Sequence, residues 1–152
     1  MNDVDIYNSA TQLNQETFLL GDVFEIFLRP TSQQAYYELH VTPNNQQLQL
    51  RWPNAHTVLE RKKLSTYFVS GMLQSYTHVQ NDRHRWHVLA AVPAAIAESK
   101  TIKIEDTWSF SFCRYDYTHR IENPVLSSCS PYDAPPNFHC QQKWGKLTFV
   151  TK

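Results

Sequence analysis

The sequence predicts an all-β protein, an antiparallel β-sandwich, and three observations support this fold class. Short segments that alternate apolar and polar residues follow one another from Asp22 onward, as half-buried strands do. Turn signals containing proline or asparagine separate these segments at close intervals. Almost no segment is long and periodic enough for a helix of ordinary length. Many short antiparallel strands are stable when two sheets pack face to face.

The first three predicted strands cover residues 22–29, 35–41 and 47–52. Turn sequences separate them at 30–32 and 43–45, where proline stands beside serine or asparagine. Proline follows the third strand and ends it, because proline has no amide hydrogen for the strand ladder.

Alternation divides the side chains of these strands between two faces. If the strands are neighbours in one sheet, one face is apolar and packs on a core. The other face carries two carboxylates, a histidine and two arginines: Glu25, Glu38, His40, Arg29 and Arg51. This set of donors and acceptors predicts a binding surface for a polar ligand. A solvated outer face is the alternative interpretation.

The second half of the chain predicts a hairpin, one core strand and one final strand. The hairpin consists of residues 65–79 and 85–92, and a short helical turn follows it. The next strand begins at Thr107 and alternates aromatic residues with small polar ones, so the aromatic residues are expected in the core. Residues 116–143 contain four prolines and are longer than an ordinary loop, which predicts a segment that is functional or packed across the sheet. The last strand is expected at 146–151.

Length and charge limit the classes of protein that this chain can belong to. The 152 residues predict a single domain, 1–152, in which residues 1–21 form a poorly defined N-terminal segment. The formal net charge is zero, which argues against nucleic acid as a partner. No segment reaches the roughly 18 apolar residues of a membrane span. The polar N-terminus does not resemble a signal peptide, so the chain is expected either to stay inside the cell or to be a mature or excised piece.

Cysteine and histidine positions do not predict a metal site. Three cysteines leave either one bridge, such as Cys129 to Cys140, or buried free thiols. His78, His84 and His87 flank the hairpin turn, but residues 84 and 87 face opposite sides of a strand. Exposed histidines on a hairpin are therefore the preferred interpretation, and neither a metal nor another cofactor is predicted.

Two further groups of residues suggest chemistry without establishing it. Glu25 and Glu38 are a candidate acid and base pair of a glycosidase. Pairing of these carboxylates with Arg29 or Arg51, or hydrogen bonding to a ligand, is the preferred interpretation, so no enzyme is predicted. The end of the sixth predicted strand carries Arg114, Tyr115 and Asp116, which suit hydrogen bonding to hydroxyl groups. The alternative is an Arg114–Asp116 pair that fixes the following loop.

The ordered segments DVFEIFLRP, AYYELHVTP, RWHVLAAVP, TWSFSFCRYDY, LSSCSP and FHCQQKWGKLTF resemble the family 9 carbohydrate-binding modules. The resemblance runs from about Asp22 to the C-terminus. It implies a β-sandwich with an immunoglobulin-like or jelly-roll arrangement and a non-catalytic role beside enzymes of polysaccharide breakdown. It also implies carbohydrate as the ligand, structural calcium in some members and an extracellular location in many; the location of this chain stays open.

The resemblance assigns sugar contacts to Glu25 and, at a position where relatives have arginine, to His40. Relatives hold the sugar between two tryptophan rings, and this chain has Phe18-Leu19 and Cys129 at those positions. The predicted ligand-binding residues are Glu25, Glu38, His40, Arg51, Arg114, Tyr115 and Cys129. The replaced tryptophans favour a second interpretation, an interaction or structural domain that has lost sugar binding. Few residues precede the first strand, so an exposed sheet edge and a homodimer through it are also expected.

Overall fold

The computed structural model describes residues 5–60, 62–96, 101–118 and 123–151. Eight strands lie in this part of the chain: β1 Val23–Pro30, β2 Tyr36–Val41, β3 Gln47–Trp52, β4 Gln74–Gln80, β5 Arg85–Ala91, β6 Thr107–Asp116, β7 Val125–Ser128 and β8 Gly145–Thr148. The helices described there are 3₁₀ turns of at most four residues, and none is long and apolar enough to cross a membrane. The predicted all-β fold is confirmed.

Six strands form one antiparallel sheet in the order β3-β2-β1-β6-β7, with β8 also paired to β6. β6 accommodates two partners because residues 107–110 pair with β8 and residues 113–116 pair with β7. β4 and β5 form a separate two-stranded hairpin. The predicted strands agree with these elements except in three places: β7 was not predicted, the first strand of the hairpin begins at Gln74 instead of residue 65, and the last strand ends at Thr148 instead of residue 151.

The apolar face of the large sheet packs on a core, as the alternation predicts. Ile26, Leu39 and Val41 are at most 5% exposed on this face. Val88 and Ala90 of the hairpin pack against the same cluster, so the hairpin is the second layer of the sandwich. Complete burial of one such side chain contributes about 1.5–3 kcal/mol relative to exposure.

The opposite face of the sheet is also buried, so the prediction of a solvated outer face is wrong. Tyr36, Leu48 and Leu50 are fully buried there. Phe138 and Trp144 pack on them from the long segment after β7, and this segment, residues 130–144, is called the cover segment below. The expectation that the segment after β6 packs across the sheet is therefore confirmed.

The register of β3 corrects the predicted position of Arg51. Glu38 pairs with Leu50, and Tyr37 pairs with Arg51. Arg51 therefore shares a face with Tyr37 and lies on the opposite side of the sheet from Glu38. A shift of one residue in a strand exchanges all its side chains between faces, and the sequence alternation alone does not determine this shift.

The N-terminal segment has a defined path across the sheet. The side-chain amide of Asn8 donates to the backbone carbonyls of Thr17 and Asp22, each at 3.0 Å. The backbone of Asn8 forms an isolated antiparallel β-bridge with Gly21. The two oxygens of the Asp22 carboxylate accept the backbone N–H groups of Tyr7 and Tyr117. Residues 5–21 are therefore part of the fold, which corrects the prediction of a poorly defined segment, and residues 1–4 lie outside the described residues.

The outer edge of β3 is partly covered, which weakens the argument for a homodimer. The Asn14 N–H donates to the Gln47 carbonyl at 2.7 Å, and the Val69 N–H donates to the Gln49 carbonyl at 3.0 Å. These bonds use backbone groups that a second chain would need for edge pairing. The homodimer stays a prediction.

Candidate ligand-binding site

A half-enclosed cleft of about 280 Å³ opens on the Glu25 side of the sheet, beneath the cover segment. This volume is near the lower end of ligand pockets, roughly 300–1,000 Å³. The residues that give the cleft its chemistry are Phe18, Glu25, Glu38, Tyr115, Phe138 and His139. Carboxyl groups thus form its base, and aromatic rings form its walls.

The base of the cleft is built by the pairing of β1 with β2. Glu25 lies directly opposite His40 in the ladder, and Glu38 is two residues from His40, on the same face. His40 Nε2 lies 2.8 Å from Glu38 Oε1 and 3.3 Å from Glu25 Oε1. All three residues are buried, with His40 fully so. One imidazole nitrogen therefore contacts two carboxyl groups.

Residues outside the cluster hold these side chains from behind. Thr17 Oγ1 lies 2.9 Å from His40 Nδ1, and the Trp52 indole N–H donates to Glu38 Oε2 at 2.7 Å. Both contacts fix a ring or carboxyl group in one orientation. The site therefore depends on the N-terminal segment and on β3 as well as on β1 and β2.

His139 brings the cover segment into the cleft. Its Nδ1 lies 2.8 Å from the Tyr36 hydroxyl, and its Nε2 lies 3.8 Å from Glu38 Oε2. The His139 ring also stands edge-on to Phe27, with ring centroids 5.3 Å apart. Since the side chain is 25% exposed, His139 lies at the rim of the cleft.

Burial and mutual contacts shift the pKa values of Glu25, Glu38 and His40. Burial raises the pKa of Glu25 to about 8, because it disfavours the carboxylate more than His40 favours it. Burial also acts to raise the pKa of Glu38, but His139 and the bonds from His40 and Trp52 outweigh it, and this pKa is lowered. Burial acts to lower the pKa of His40, but Glu25 and Glu38 outweigh it, and this pKa is raised. Near neutral pH these shifts favour an ionised Glu38 and a protonated Glu25, and the two carboxyl groups stabilise the protonated form of His40.

Four of the seven predicted binding residues come together in the structure. Glu25, Glu38 and Tyr115 line the cleft, and His40 lies beneath it. Phe18, which stands at one of the replaced tryptophan positions, lines it as well. The ring centroids of Phe18 and Tyr115 are 6.3 Å apart, so the two rings form a continuous apolar wall.

The structure places the other three predicted binding residues elsewhere. Arg51 and Arg114 lie on the opposite face, because Arg114 pairs with Phe24 across β1 and β6. Arg114 makes the ion pair with Asp116, at 3.1 Å, that was the alternative interpretation. Cys129 is exposed and accepts the Phe112 N–H through its sulfur, so it does not line the cleft. The registers of β3 and β6 place the two arginines on the opposite face. The register of β7 against β6 brings Cys129 beside Phe112.

Sequence reasoning missed Thr17, Tyr36 and Trp52 as supports of the site, and His139 at its rim. Tyr36 is two residues from Glu38 in the same strand, so alternation alone places it on the Glu38 face, and this was the available signal for it. Trp52 alternates with Arg51, so it joins that face once the register of β3 is known. Thr17 and His139 lie in irregular segments, where periodicity carries no information.

The remaining sequence predictions concern the cysteines, the hairpin histidines and calcium. The three cysteines are free. His78 and His87 lie opposite each other on the exposed hairpin surface, with ring centroids 6.4 Å apart. The structural calcium implied by the resemblance stays a prediction; calcium takes six to eight oxygen ligands, whereas the Glu25–Glu38–His40 cluster contains an imidazole between two carboxyl groups.

No family model matches the sequence, and no curated protein matches it significantly. Two solved structures match the fold. A candidate carbohydrate-binding protein from Bacteroides uniformis ATCC 8492 has a TM-score of 0.66 and 16% identity, covering 95% of this chain and 67% of that one. A family 9 carbohydrate-binding module from Caldicellulosiruptor kristjanssonii, in complex with glucose, has a TM-score of 0.62 and 14% identity, covering 99% of this chain and 68% of that one.

The architecture and the cleft define a β-sandwich of the kind used by ligand-binding modules. Its particular fold is that of the family 9 carbohydrate-binding modules, as the sequence resemblance predicted. At these identities the comparison concerns the fold, and function has to be argued from the site.

Proposed function

We propose that this protein binds a carbohydrate without catalysis, in the cleft formed by Glu25, Glu38 and the rings around them. The observation that carries the proposal is the combination of buried carboxyl groups at the base with aromatic rings on the walls. A sugar presents hydroxyl groups at its edges and C–H groups on its faces, so it needs both kinds of surface. The glucose complex of the Caldicellulosiruptor kristjanssonii module, which shares this fold, supports the choice of ligand class.

The polar groups of the cleft suit neutral hydroxyl groups. The ionised Glu38 accepts hydrogen bonds from sugar O–H groups, while the protonated Glu25 donates one as well as accepting. His139 at the rim adds a further polar group. Hydrogen bonds that involve a charged partner are the stronger ones, so Glu38 is expected to contribute most.

The rings of Phe18, Tyr115 and Phe138 supply the apolar contact. Tyr115 stands edge-on to Phe138, with ring centroids 5.8 Å apart, and Phe18 adjoins Tyr115 on the other side. Such rings combine a large apolar area with a defined orientation. We propose that they replace the tryptophan pair of family 9 relatives, since Trp52 and Trp144 are buried in the core.

A non-catalytic role is proposed because His40 occupies the space between the two carboxyl groups. In glycosidases the reacting carbon of the sugar lies between the acid and the second carboxylate. Here Nε2 of His40 contacts both Glu25 and Glu38, so a sugar ring does not fit between them. A role beside enzymes of polysaccharide breakdown, implied by the resemblance, is part of the same proposal.

Calorimetry with a panel of mono- and oligosaccharides tests the proposal, with chelator in the buffer throughout. Saturable heat is expected for the wild type, with affinity at least tenfold weaker in Glu38→Gln and Phe18→Ala. Glu16→Gln is the matched control, because Glu16 is exposed and does not line the cleft. No heat from any sugar at millimolar concentration would overturn the proposal and favour an interaction domain that has lost sugar binding. Turnover of chromogenic glycosides would overturn the non-catalytic role.

A further inference from the structure

We infer that the cluster of Glu25, Glu38 and His40 is a binding site for a divalent transition metal, with zinc as the best fit. The inference goes beyond carbohydrate binding and does not depend on it. It starts from three potential ligand atoms, one from each residue, that lie within 4.8 Å of one another in a buried position. Two adjacent strands hold these residues, so their backbone positions are fixed by the β1–β2 ladder.

The distances from His40 Nε2 to the two carboxyl oxygens are close to those between the ligand atoms of a zinc site. Atoms bound tetrahedrally at about 2.0–2.1 Å from zinc lie roughly 3.3 Å from each other. His40 Nε2 lies 3.3 Å from Glu25 Oε1 and 2.8 Å from Glu38 Oε1. Zinc would take the place of the protons that Glu25 and His40 hold, so its binding is expected to release protons.

The contacts behind these ligands resemble the outer contacts of metal sites. In such sites the second nitrogen of each histidine and the free oxygen of each carboxylate are held by hydrogen bonds. Here Thr17 Oγ1 contacts His40 Nδ1 at 2.9 Å, which leaves Nε2 directed at the carboxyl groups. The Trp52 indole donates to the second oxygen of Glu38 at 2.7 Å.

His139 supplies a further nitrogen at the open side of the cluster. The Tyr36 hydroxyl holds its Nδ1 at 2.8 Å, and its Nε2 lies 3.8 Å from Glu38 Oε2. In both His40 and His139, one ring nitrogen contacts a hydroxyl group and the other faces the Glu38 carboxylate. The cleft beside them leaves room for water or another small ligand on the ion.

The donor types select the kind of metal. Imidazole nitrogen together with carboxylate oxygen suits zinc and neighbouring transition metals, whereas calcium and magnesium take oxygen ligands. Glu25, Glu38 and His40 leave the fourth position of a tetrahedral zinc site open, and His139 lies beside the cluster, where it can support the site.

The test is calorimetric titration of chelator-stripped protein with zinc alone, in the absence of sugar. One ion per chain is expected, with a rise in the thermal unfolding temperature because zinc binds the folded state. Cobalt titration gives a second readout through the visible absorption of four-coordinate cobalt. His139→Gln is expected to weaken zinc binding at least tenfold, as loss of a ligand or its support commonly does, and Glu25→Gln is expected to weaken it by a similar factor.

The matched control is His87→Gln, which removes a histidine from the exposed hairpin pair and is expected to leave zinc binding unchanged. His139 lies at the rim, so its variant keeps the inference testable even if substitution at His40 prevents folding. Absence of saturable heat at millimolar zinc would overturn the inference. Binding that survives in both Glu25→Gln and His139→Gln, and is lost in His87→Gln, would also overturn it by placing the ion on the hairpin.

The sugar titration described above contains chelator, so the two proposals fail separately. Zinc binding without sugar binding would support the metal site and overturn carbohydrate as the ligand. Sugar binding without zinc binding would do the reverse.

Discussion

The hydroxyl of Tyr36 lies 2.8 Å from Nδ1 of His139, although 103 residues separate the two in sequence. Tyr36 belongs to β2, and His139 belongs to the cover segment. This bond joins the cover segment to the sheet at the rim of the cleft. It also fixes the orientation of the His139 ring, whose Nε2 lies 3.8 Å from Glu38 Oε2.

Removal of this hydroxyl in Tyr36→Phe is expected to lower the free energy of unfolding by about 1 kcal/mol, the usual net value of one hydrogen bond. Ligand affinity should fall as well, because His139 is then free to turn. Urea unfolding and calorimetry measure the two effects. Tyr76→Phe is the control, since Tyr76 is 65% exposed. Equal stability and affinity in Tyr36→Phe and wild type would contradict the role of this bond.

The bond from Trp52 to Glu38 gives a second prediction. Trp52→Phe removes the indole N–H from the buried Glu38 Oε2 and is expected to destabilise the fold by about 2 kcal/mol, since the bond has a charged acceptor. A double-mutant cycle with Glu38→Gln separates this bond from the packing that is lost with the indole. Strictly additive effects in urea unfolding would show that the two side chains do not interact.

The stability of the metal-free protein is expected to fall as pH rises above about 5. The pKa of Glu25 is raised to about 8 in the fold from its ordinary value of 4.5. Its contribution is therefore complete below pH 4.5 and is lost progressively up to about pH 8. The pKa of His40 is also raised, so its contribution is likewise lost with rising pH. The lowered pKa of Glu38 acts in the opposite direction, below pH 4.5.

Urea unfolding at a series of pH values, with chelator present, measures this dependence. In Glu25→Gln the decline between about pH 5 and 8 should become shallower, because the amide does not ionise. The raised pKa of His40 then accounts for the remaining decline. A stability that rises with pH across this range in the wild type would contradict the assigned protonation states.

Gly21 gives a prediction about the N-terminal segment. A Cβ at this position would lie 2.2 Å from the Tyr7 carbonyl oxygen, and the backbone has φ +135°. Gly21→Ala is therefore expected to destabilise the fold by about 2 kcal/mol through clash and strain, and to weaken ligand binding, because the same segment carries Thr17 and Phe18.

Gly71→Ala is the matched control for Gly21. Gly71 has φ +72°, but no atom lies within 4 Å of the position of an added Cβ. The cost there is expected to be about 1 kcal/mol of backbone strain, with unchanged ligand affinity. Equal losses of affinity in the two variants would refute a specific role of the N-terminal segment in the site.

The corrected face of β3 predicts which substitutions leave ligand binding intact. Arg51→Gln and Cys129→Ser are expected to bind sugar with wild-type affinity, because neither residue lines the cleft. Tyr115→Ala, on the cleft wall, is expected to weaken binding at least tenfold. Calorimetry distinguishes these outcomes, and a loss of affinity in Arg51→Gln with the fold intact would place the ligand on the opposite face.

The alternation of residues in β1 and β2 was sufficient to predict a large part of this site. Side chains two apart in a strand share a face, so Glu38 and His40 were placed together before any tertiary contact was known. The positions of Ile26 and Leu39 in the core follow from the same rule. Fold class was predictable for a similar reason, since strand alternation and turn residues are local properties of the chain.

The register of β3 and the paths of the irregular segments were decided only by tertiary structure. Both registers of β3 satisfy its alternation, and only one joins Trp52 to Glu38 and places Arg51 on the other face. Thr17 and His139 reach the cluster because loops are positioned by contacts distant in sequence, and such contacts have no periodic signature. The sequence by itself thus determined most of the strands, the sandwich and the Glu25–His40 pair, while long-range packing decided which side chains surround that pair.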